Sequence, residues 1–314
     1  MLLILTSEKD LAADYLIVHL QRNGLPFHRL NAESYHQQFG TFRLGREGVT
    51  RTIRASNGTL VDLAEVHAVW YRRAIHPEVS PRVVPDQRRF VAGETRHFWA
   101  GLVLSSDARW VNPIDKVSVG ELKLVQLELA QRLAFDIPRT LVSRAPEELR
   151  EFVRSVGPVI CKPVYHGLLV TPGERSSAYT RRITLSDLDD LDAIDVGPVL
   201  LQAEVPRRAD VRVTFVGKAV FAVRITSADA SLVDWRVPGT QLAYEVFALP
   251  DDITEKCRAM LEAMGLHYGA FDFIEDLEGR LVFLEINPTG EWAWLEEQLN
   301  LPFREAFVRL FYDQ

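Results

Sequence analysis

The carboxyl-terminal third of the sequence contains two carboxylates and one amide whose spacing suits a metal ion. Glu285 and Asn287 lie two residues apart in a predicted strand, so both leave the face that Phe283 shares, whereas Leu284 faces away. A four-residue hairpin loop is expected to bring Asp272 opposite Glu285. Oxygen ligands of this kind suit Mg²⁺, with phosphate oxygens completing the shell. An isolated Glu-x-Asn pair is more often a solvated strand edge. Asp272 across the hairpin, together with basic groups elsewhere in the sequence, favours a metal site over that alternative.

Two lysines and two arginines could supply those groups. Lys162 lies within the apolar run Val-Ile-Cys-Lys-Pro-Val, where an ammonium costs desolvation unless it meets an anion. A lysine on an edge strand whose head reaches water is equally compatible with that run. Lys123, near the start of a helix, is by itself typical of a solvated lysine. Arg212 and Arg236 carry planar groups able to bind phosphate through two hydrogen bonds, although neither is specific alone.

The sequence offers residues for a nucleotide but no recognisable protein nucleophile. Gln202 and Glu204 alternate along a predicted strand over residues 199–205, which could place polar groups along an adenine edge. No G-x-S-x-G elbow and no Cys–His pair in a recognisable context occurs. The first strand–helix turn lacks G-x-G-x-x-G, so a nicotinamide-binding domain is not supported.

The composition is that of a globular protein without a disulfide framework. The 314 residues include 36 Lys and Arg against 43 Asp and Glu, a net charge of −7, and 47% are hydrophobic. This acidic balance argues against nucleic acid or an anionic membrane as the main partner. The two cysteines have no metal-ligand spacing, and we find neither a targeting segment nor a long apolar run. We therefore expect a soluble cytoplasmic protein.

The element pattern predicts a mixed fold, α/β at the start and α+β afterwards, in three units. Residues 1–115 open as β-α-β, the start of an open α/β domain. Residues 116–195 are expected to form a small α+β unit that begins with an amphipathic helix over 119–134, whose apolar residues include Leu122. Residues 196–314 are rich in strands.

Taken in order, these motifs resemble the ATP-grasp superfamily, with residues 1–115 as the α/β domain that precedes its two grasp domains. Four further segments resemble the microviridin-type peptide ligases, the maturases of ω-ester and ω-amide cross-linked peptides called graspetides. These segments are Val-Trp-Tyr-Arg-Arg (69–73), Arg-Trp-Val-Asn-Pro (109–113), Ile-Pro-Arg-Thr-Leu-Val (137–142) and Phe-Leu-Glu-Ile-Asn-Pro-Thr-Gly-Glu-Trp (283–292).

The resemblance implies an ATP-dependent ligase. A substrate carboxylate attacks the γ-phosphoryl group of ATP, and a hydroxyl or amine then displaces phosphate from the acyl phosphate. Such chemistry needs positioning and charge neutralisation more than a protein nucleophile. By resemblance, the residues divide into Mg²⁺ ligands (Asp272, Glu285, Asn287), phosphate ligands (Lys123, Lys162), adenine and ribose contacts (Gln202, Glu204) and stabilisers of the transferring phosphoryl group (Arg212, Arg236).

For this branch the resemblance implies a ribosomal precursor peptide with a leader and an acidic core as substrate and partner. Asp or Glu side chains of the peptide are joined to its Thr, Ser or Lys side chains. Arg72 and Arg73, after a strand of the first domain, are candidates for binding the core carboxylates, and a salt-bridged loop is an equal alternative. A homodimer is a family expectation. The sequence does not determine ester against amide, the number of rings or the leader-binding residues.

Two other functions remain open from the sequence. A RimK-like ligase would use the same ATP chemistry to add an amino acid to a small molecule or a protein tail, because the ligand set recognises ATP and not the acceptor. A non-catalytic scaffold on a degenerate ATP-grasp fold would not need the complete set of acidic and basic residues. The presence of that set argues against the scaffold.

Overall fold

The computed structural model describes the backbone of residues 168–171 and 174–177 and all atoms of residues 1–72, 78–165, 178–189, 196–229 and 231–313. The amino-terminal unit contains a parallel sheet in the order β2-β1-β6-β7. Its elements are β1 (Leu2–Thr6), α1 (Leu11–Arg22), β2 (Phe27–Asn31), β6 (Ala68–Tyr71), α2 (Arg88–Leu104) and β7 (Arg109–Val111). A small antiparallel sheet consists of β3 (Phe39–Gly45), β4 (Gly48–Arg54) and β5 (Leu60–Asp62).

The predicted β-α-β opening is confirmed, and local chemistry explains where α1 begins and ends. The Asp10 carboxylate accepts a hydrogen bond from the Ala13 amide at 3.2 Å, which caps the first turn. Leu16 and Leu20 are fully buried, so the apolar stripe of the helix packs against the sheet. Gly24, with φ of +64°, follows the end of the helix in a backbone conformation that suits glycine.

The middle unit is built on a sheet in the order β12-β9-β13-β8. The elements of this region are α3 (Ile114–Gly120), α4 (Lys123–Arg132), β8 (Thr140–Ser143), α5 (Pro146–Val156), β9 (Val159–Lys162), β10 (Leu168–Thr171), β11 (Glu174–Ser177), β12 (Arg181–Ile183) and β13 (Val199–Ala203). Because β13 pairs with both β8 and β9, the boundary predicted at residue 195 separates a strand from its own sheet. We propose a boundary between residues 203 and 207 instead.

The helix predicted over 119–134 is two helices, because the chain turns at Glu121 and Leu122 between α3 and α4. Leu122 is 52% exposed, whereas Gln126 and Ala130 form the buried face of α4. The hydrophobic spacing therefore predicted the helical character of this stretch correctly. Leu129 and Leu133 of the predicted apolar face pack against the core, whereas Leu122 does not.

The carboxyl-terminal unit is a five-stranded antiparallel sheet in the order β16-β15-β14-β17-β18 with helices on both faces. Its elements are β14 (Arg207–Val216), β15 (Ala219–Ser227), β16 (Leu242–Val246), α6 (Asp251–Met264), β17 (Tyr268–Asp276), β18 (Leu281–Asn287), α7 (Ala293–Leu299) and α8 (Phe303–Tyr312). Residues of α6, including the buried Met260, pack with Phe271 and Phe273 in the core on one face.

The opposite face of this sheet shares a hydrophobic core with the amino-terminal unit. Phe307 and Phe311 of α8 lie 5.2 and 5.6 Å, ring centre to ring centre, from Trp70 of β6. Leu16 of α1 and Val223 of β15 belong to the same buried cluster. The first and last units of the chain are therefore fixed to each other by apolar packing. Among the residues that the structure describes, every helix is too short or too polar to cross a bilayer.

Candidate active site

A cavity of about 640 Å³ lies where the middle sheet faces the carboxyl-terminal sheet. Its wall combines the end of β9, the first half of β14, the middle of β17, the end of β18, and residues 233–236, 287–289 and 291. Most of the charged residues singled out from the sequence line this cavity, and the elements described above bring them together from three distant parts of the chain.

The three expected metal ligands lie together in the cavity wall. Asp272 is directly opposite Glu285 in the β17–β18 ladder, as predicted, and Asn287 follows two residues later. The hairpin loop alone does not give this alignment, because the pairing of Glu275 with Leu281 beside the loop would place Asp272 opposite Leu284. A bulge beside this pair changes the alternation of β18. Phe283 is consequently fully buried in the core and Leu284 lines the cavity, so the faces expected for these two residues were wrong.

The two carboxylates are each held by one cation. Asp272 accepts hydrogen bonds from Nη1 of Arg212 at 2.8 and 2.7 Å, and Glu285 lies 3.1 Å from Nζ of Lys123. Burial raises the pKa of Asp272 despite Arg212, and the nearby Glu285 adds to the rise. Burial opposes ionisation of Glu285 too, but Lys123 and Lys162 together hold its pKa below the usual range. A cation bound between the two carboxylates would favour the ionised form of Asp272, which burial disfavours.

This donor set fits Mg²⁺. Within the described parts of the chain, no three His, Cys, Asp or Glu side chains converge as a metal site, so two carboxylates and one amide oxygen form the candidate ligands. Mg²⁺ is commonly bound through one or two carboxylates together with phosphates of a substrate. A site with only two charged ligands leaves coordination positions for such phosphates.

The two lysines approach the carboxylates from the middle unit. Nζ of Lys123 donates to the Pro163 carbonyl at 2.9 Å, which ties the start of α4 to the end of β9. Lys162 makes no hydrogen bond or ion pair with any residue that the structure describes, although Glu285 and Lys123 are near it. Burial lowers the pKa of Lys162 to about 8, and Glu285 limits that fall. An anion in the cavity would satisfy this ammonium.

The two arginines singled out from the sequence line the same cavity, but they differ in burial and in their partners. Arg212 is buried, its Nη2 also donates to the Glu291 carbonyl at 3.4 Å, and its Nε has no partner among the described residues. A Cβ atom on Gly290 would lie 2.7 Å from Nη2 of Arg212, so this loop position requires glycine. Arg236 is half-exposed and binds the Asp234 carboxylate through Nε and Nη2, both at 2.8 Å.

Neither expected adenine residue belongs to the cavity wall formed by the described residues. Gln202 is fully buried, its Nε2 donates to Oγ1 of Thr140 at 2.8 Å, and its Oε1 has no partner there. Its register on β13 puts it on the same sheet face as Lys162, which pairs with Leu200. Glu204 follows β13 and binds Arg182 through three hydrogen bonds of 2.7 to 3.0 Å.

Arg72 has a structural environment that contradicts its expected role in binding substrate carboxylates. Its side chain is 1% exposed, and it donates to the Asp10 carboxylate at 3.1 and 3.2 Å. It also donates to the carbonyls of Thr289 and Gly290 and to the Glu291 carboxylate. Loop 288–291 therefore lies over the end of β6. A local sequence pattern cannot indicate this contact, because the two segments are far apart in the chain. Arg73, the second candidate, lies outside the described residues.

Two polar residues of the site were missed. Gln126 on the buried face of α4 donates to the Ile286 carbonyl at 2.8 Å and accepts from the Ile286 amide at 3.0 Å, between two expected metal ligands. Asp210 lines the cavity on β14, and burial raises its pKa to about 7 despite Arg207. The alternation of Asp210 and Arg212 within an apolar strand was the available signal for the second residue. Gln126 gave none.

The tryptophans near the end of β18 separate into a core residue and a wall residue. Trp292 is fully buried among the aromatic residues of α8. Trp294 lines the cavity together with Trp235, and the two rings lie 5.7 Å apart. An apolar aromatic wall thus borders the charged part of the cavity.

Residues 1–118 match the family model of the MvdD pre-ATP grasp domain. Among curated proteins, none matches the chain at a significant level.

Solved structures match over the whole chain. The macrocyclase MdnC of Microcystis aeruginosa MRC, bound with precursor peptide MdnA, is 26% identical with a TM-score of 0.87 over 99% of both chains. MdnB of the same organism is 28% identical, with a TM-score of 0.82 over 100% of this chain and 99% of that one. A RiPP-associated ATP-grasp ligase of Chryseobacterium gregarium, in complex with ADP and a leader and core peptide, is 25% identical. Its TM-score is 0.90 over 99% and 96% of the chains.

Proposed function

We propose that this chain, an ATP-grasp ligase of the microviridin-type maturases, cross-links a ribosomal precursor peptide. It phosphorylates Asp or Glu side chains of the peptide and joins them to Thr, Ser or Lys side chains as ω-esters or ω-amides. The observation that carries the proposal is the pairing of Asp272 with Glu285 in a cavity whose wall also holds two lysines and three arginines. A phosphoryl transfer needs this combination of cation ligands and positive charge.

ATP and Mg²⁺ are the implied co-substrate and metal. We assign Mg²⁺ to Asp272, Glu285 and Asn287, where the ion would neutralise phosphate charge during transfer. Lys162, which has no anionic partner at hydrogen-bond distance among the described residues, would meet the phosphates together with Lys123. The unpartnered Oε1 of Gln202 supports placing adenine on that face of the middle sheet, and Glu204 is assigned to the ribose side.

The arginines have a separate task in the proposed reaction. When a substrate carboxylate attacks the γ-phosphoryl group, negative charge spreads over the transferring oxygens. Arg212 is fixed by Asp272 and Arg236 by Asp234, so both present guanidinium groups that need little reorganisation. The same groups would stabilise the acyl phosphate until a hydroxyl or amine displaces inorganic phosphate.

A peptide is preferred over a small acceptor because of the relatives. MdnC was solved with a precursor peptide, and the Chryseobacterium ligase with a leader and a core peptide. The RimK domain protein of Sphaerobacter thermophilus DSM 20745 is 15% identical with a TM-score of 0.58, a likeness of fold alone. We infer in addition that the enzyme acts as a homodimer in the cytoplasm, and that neither nucleic acid nor a membrane is its partner.

Intact-mass spectrometry tests the proposed function. A short acidic, Thr-rich peptide encoded beside the gene is incubated with the protein and MgATP. We expect loss of one water mass per ring, dependent on ATP and absent with Glu285→Gln. Glu297→Gln makes the same chemical change at an exposed position on α7 and should cross-link like the wild type.

Two outcomes would contradict the proposal. An unchanged peptide mass, combined with ATP turnover triggered by a free amino acid, would identify a RimK-like ligase. Cross-linking by Glu285→Gln at the wild-type rate would show that the carboxylate pair does not hold the metal.

A further inference from the structure

Asp210 lies on the cavity wall immediately beside the proposed site of phosphoryl transfer. It is two residues from Arg212 on β14, so both side chains leave the same face of the sheet, roughly 7 Å apart along the strand. Asp234, Trp235 and Trp294 line the adjoining part of the cavity.

Asp210 makes fewer polar contacts with described residues than the neighbouring carboxylates do. Asp272 is held by Arg212 through both oxygens, and Asp234 by Arg236 through both oxygens. Asp210 has one ion pair, between its Oδ2 and Nη1 of Arg207 at 3.2 Å. Its other oxygen accepts no hydrogen bond from the residues that the structure describes. Asp210 thus lines the cavity with an oxygen that none of the described residues engages.

The second half of the proposed reaction needs such an acceptor. A hydroxyl group attacking an acyl phosphate must give up its proton, and an ammonium must lose one before its nitrogen can attack. Proton acceptance works best in a group whose pKa lies near the operating pH. Nothing in the roles assigned above provides this group, because the arginines are permanently charged and the other carboxylates bind cations.

We propose that Asp210 is the proton acceptor for the nucleophile that closes each cross-link. This inference rests on the proposed function and assigns the residue that serves its second step. A lone pair of the attacking oxygen forms the bond to the acyl carbon while the proton passes to Asp210. The bond between the acyl carbon and the phosphate oxygen then breaks, and its electron pair leaves with phosphate. Asp210 returns the proton to the departing phosphate, so ester, ADP and inorganic phosphate are the products.

The electrostatic surroundings agree with this assignment. Burial raises the pKa of Asp210 to about 7, with Asp272 of β17 and Asp234 of the facing loop adding to the rise. Arg207 on the same strand and Arg236 of that loop act in the opposite direction. Asp210 can therefore exchange a proton near neutral pH, unlike an exposed carboxylate.

Hydroxylamine separates the two half-reactions experimentally. It is neutral at pH 7 and strongly nucleophilic, so it captures an acyl phosphate as a hydroxamate without help from a protein base. Wild type and Asp210→Asn are incubated with MgATP and the peptide described above, with and without hydroxylamine. We expect Asp210→Asn to form hydroxamate within twofold of the wild-type rate and to cross-link about 100-fold more slowly. Asp210→Glu should restore part of the cross-linking.

Controls make each result decisive. Asp252→Asn, at an exposed position on α6, should match the wild type in both assays. The acid-side decline of the wild-type cross-linking rate should be absent from the residual activity of Asp210→Asn. Equal losses of hydroxamate and cross-link in Asp210→Asn, or undiminished cross-linking, would overturn the assignment. Absence of both products with the wild type would overturn the proposed function itself.

Discussion

At the scale of single residues, the site consists of two facing carboxylates with cationic side chains around them. Asp272 and Glu285 face each other, Arg212 and Lys123 each neutralise one of them, and the ammonium of Lys162 has no hydrogen-bond partner among the described residues. Burial makes each unpaired charge costly, so an incoming phosphate and its cation complete the arrangement. Nucleotide binding should consequently depend on the protonation state of Lys162.

We predict that nucleotide affinity falls as pH rises through about 8, the pKa to which burial lowers Lys162. Phosphate oxygens favour the ammonium, so the free enzyme must take up a proton before binding at higher pH. Affinity for MgADP should be about tenfold weaker at pH 9 than at pH 7, measured by isothermal titration calorimetry. Lys162→Met should bind more weakly at both values and lose this dependence. An identical pH dependence in Lys162→Met would assign the titration to another group.

At the scale of elements, β18 is positioned by contacts from helices and loops that are distant in sequence. Gln126 of α4 pairs with both backbone groups of Ile286, between Glu285 and Asn287. Asn112, after β7, donates to the carbonyls of Tyr268 and Pro288 and so connects the start of β17 with the end of β18. These buried amides act as substitutes for a further strand along the edge of the sheet.

Gln126→Met preserves the side-chain volume but leaves the Ile286 amide and carbonyl without partners. We expect the free energy of unfolding to fall by about 1–3 kcal/mol, measured by urea titration. MgADP affinity should fall as well, because the backbone between the two ligands is no longer fixed. Gln131→Met, an exposed position on the same helix, is the matched control and should change neither quantity appreciably. If Gln126→Met left the free energy of unfolding unaltered, the Gln126 amide would not be positioning β18.

The sequence predicted the element types and the facing carboxylates because both follow from local periodicity. The hairpin brings Asp272 near Glu285 and the bulge in β18 completes the alignment, whereas the β-α-β opening follows from alternating apolar runs. The orientation of Phe283 could not be predicted, because the bulge in β18 has no sequence marker. Gln126 was equally hidden, since its backbone partner is 160 residues away.

At the scale of the whole molecule, the first and last units share one core, and a buried ion pair of the first unit also contacts the last unit. Arg72 is 1% exposed and Asp10 is 0% exposed, and Arg72 also binds loop 288–291 beside the metal ligands. The amino-terminal unit therefore supports the end of β18 rather than binding the substrate through this arginine. The sequence could not decide between a substrate contact and a salt bridge for Arg72, because its partners lie 62 and about 218 residues away in the chain.

Arg72→Met removes one partner of this pair and leaves the Asp10 carboxylate buried without compensation. We expect a loss of about 3 kcal/mol in the free energy of unfolding by urea titration. Combined with Asp10→Asn, the loss should be smaller than the sum of the two single losses. Arg89→Met, an exposed arginine on α2, should change stability by less than about 0.5 kcal/mol. Strict additivity in the double variant would show that the two charges are not coupled.

The most direct test of carboxylate phosphorylation follows oxygen atoms through the reaction. The precursor peptide is prepared with heavy oxygen in its Asp and Glu carboxylates and converted with unlabelled MgATP. Phosphorylation transfers one carboxylate oxygen to phosphate when the acyl phosphate is displaced, so one heavy oxygen per ring should appear in inorganic phosphate and none in AMP. Label found in AMP would mean adenylation, and unlabelled phosphate would mean ATP hydrolysis without carboxylate activation. Either result would contradict the account.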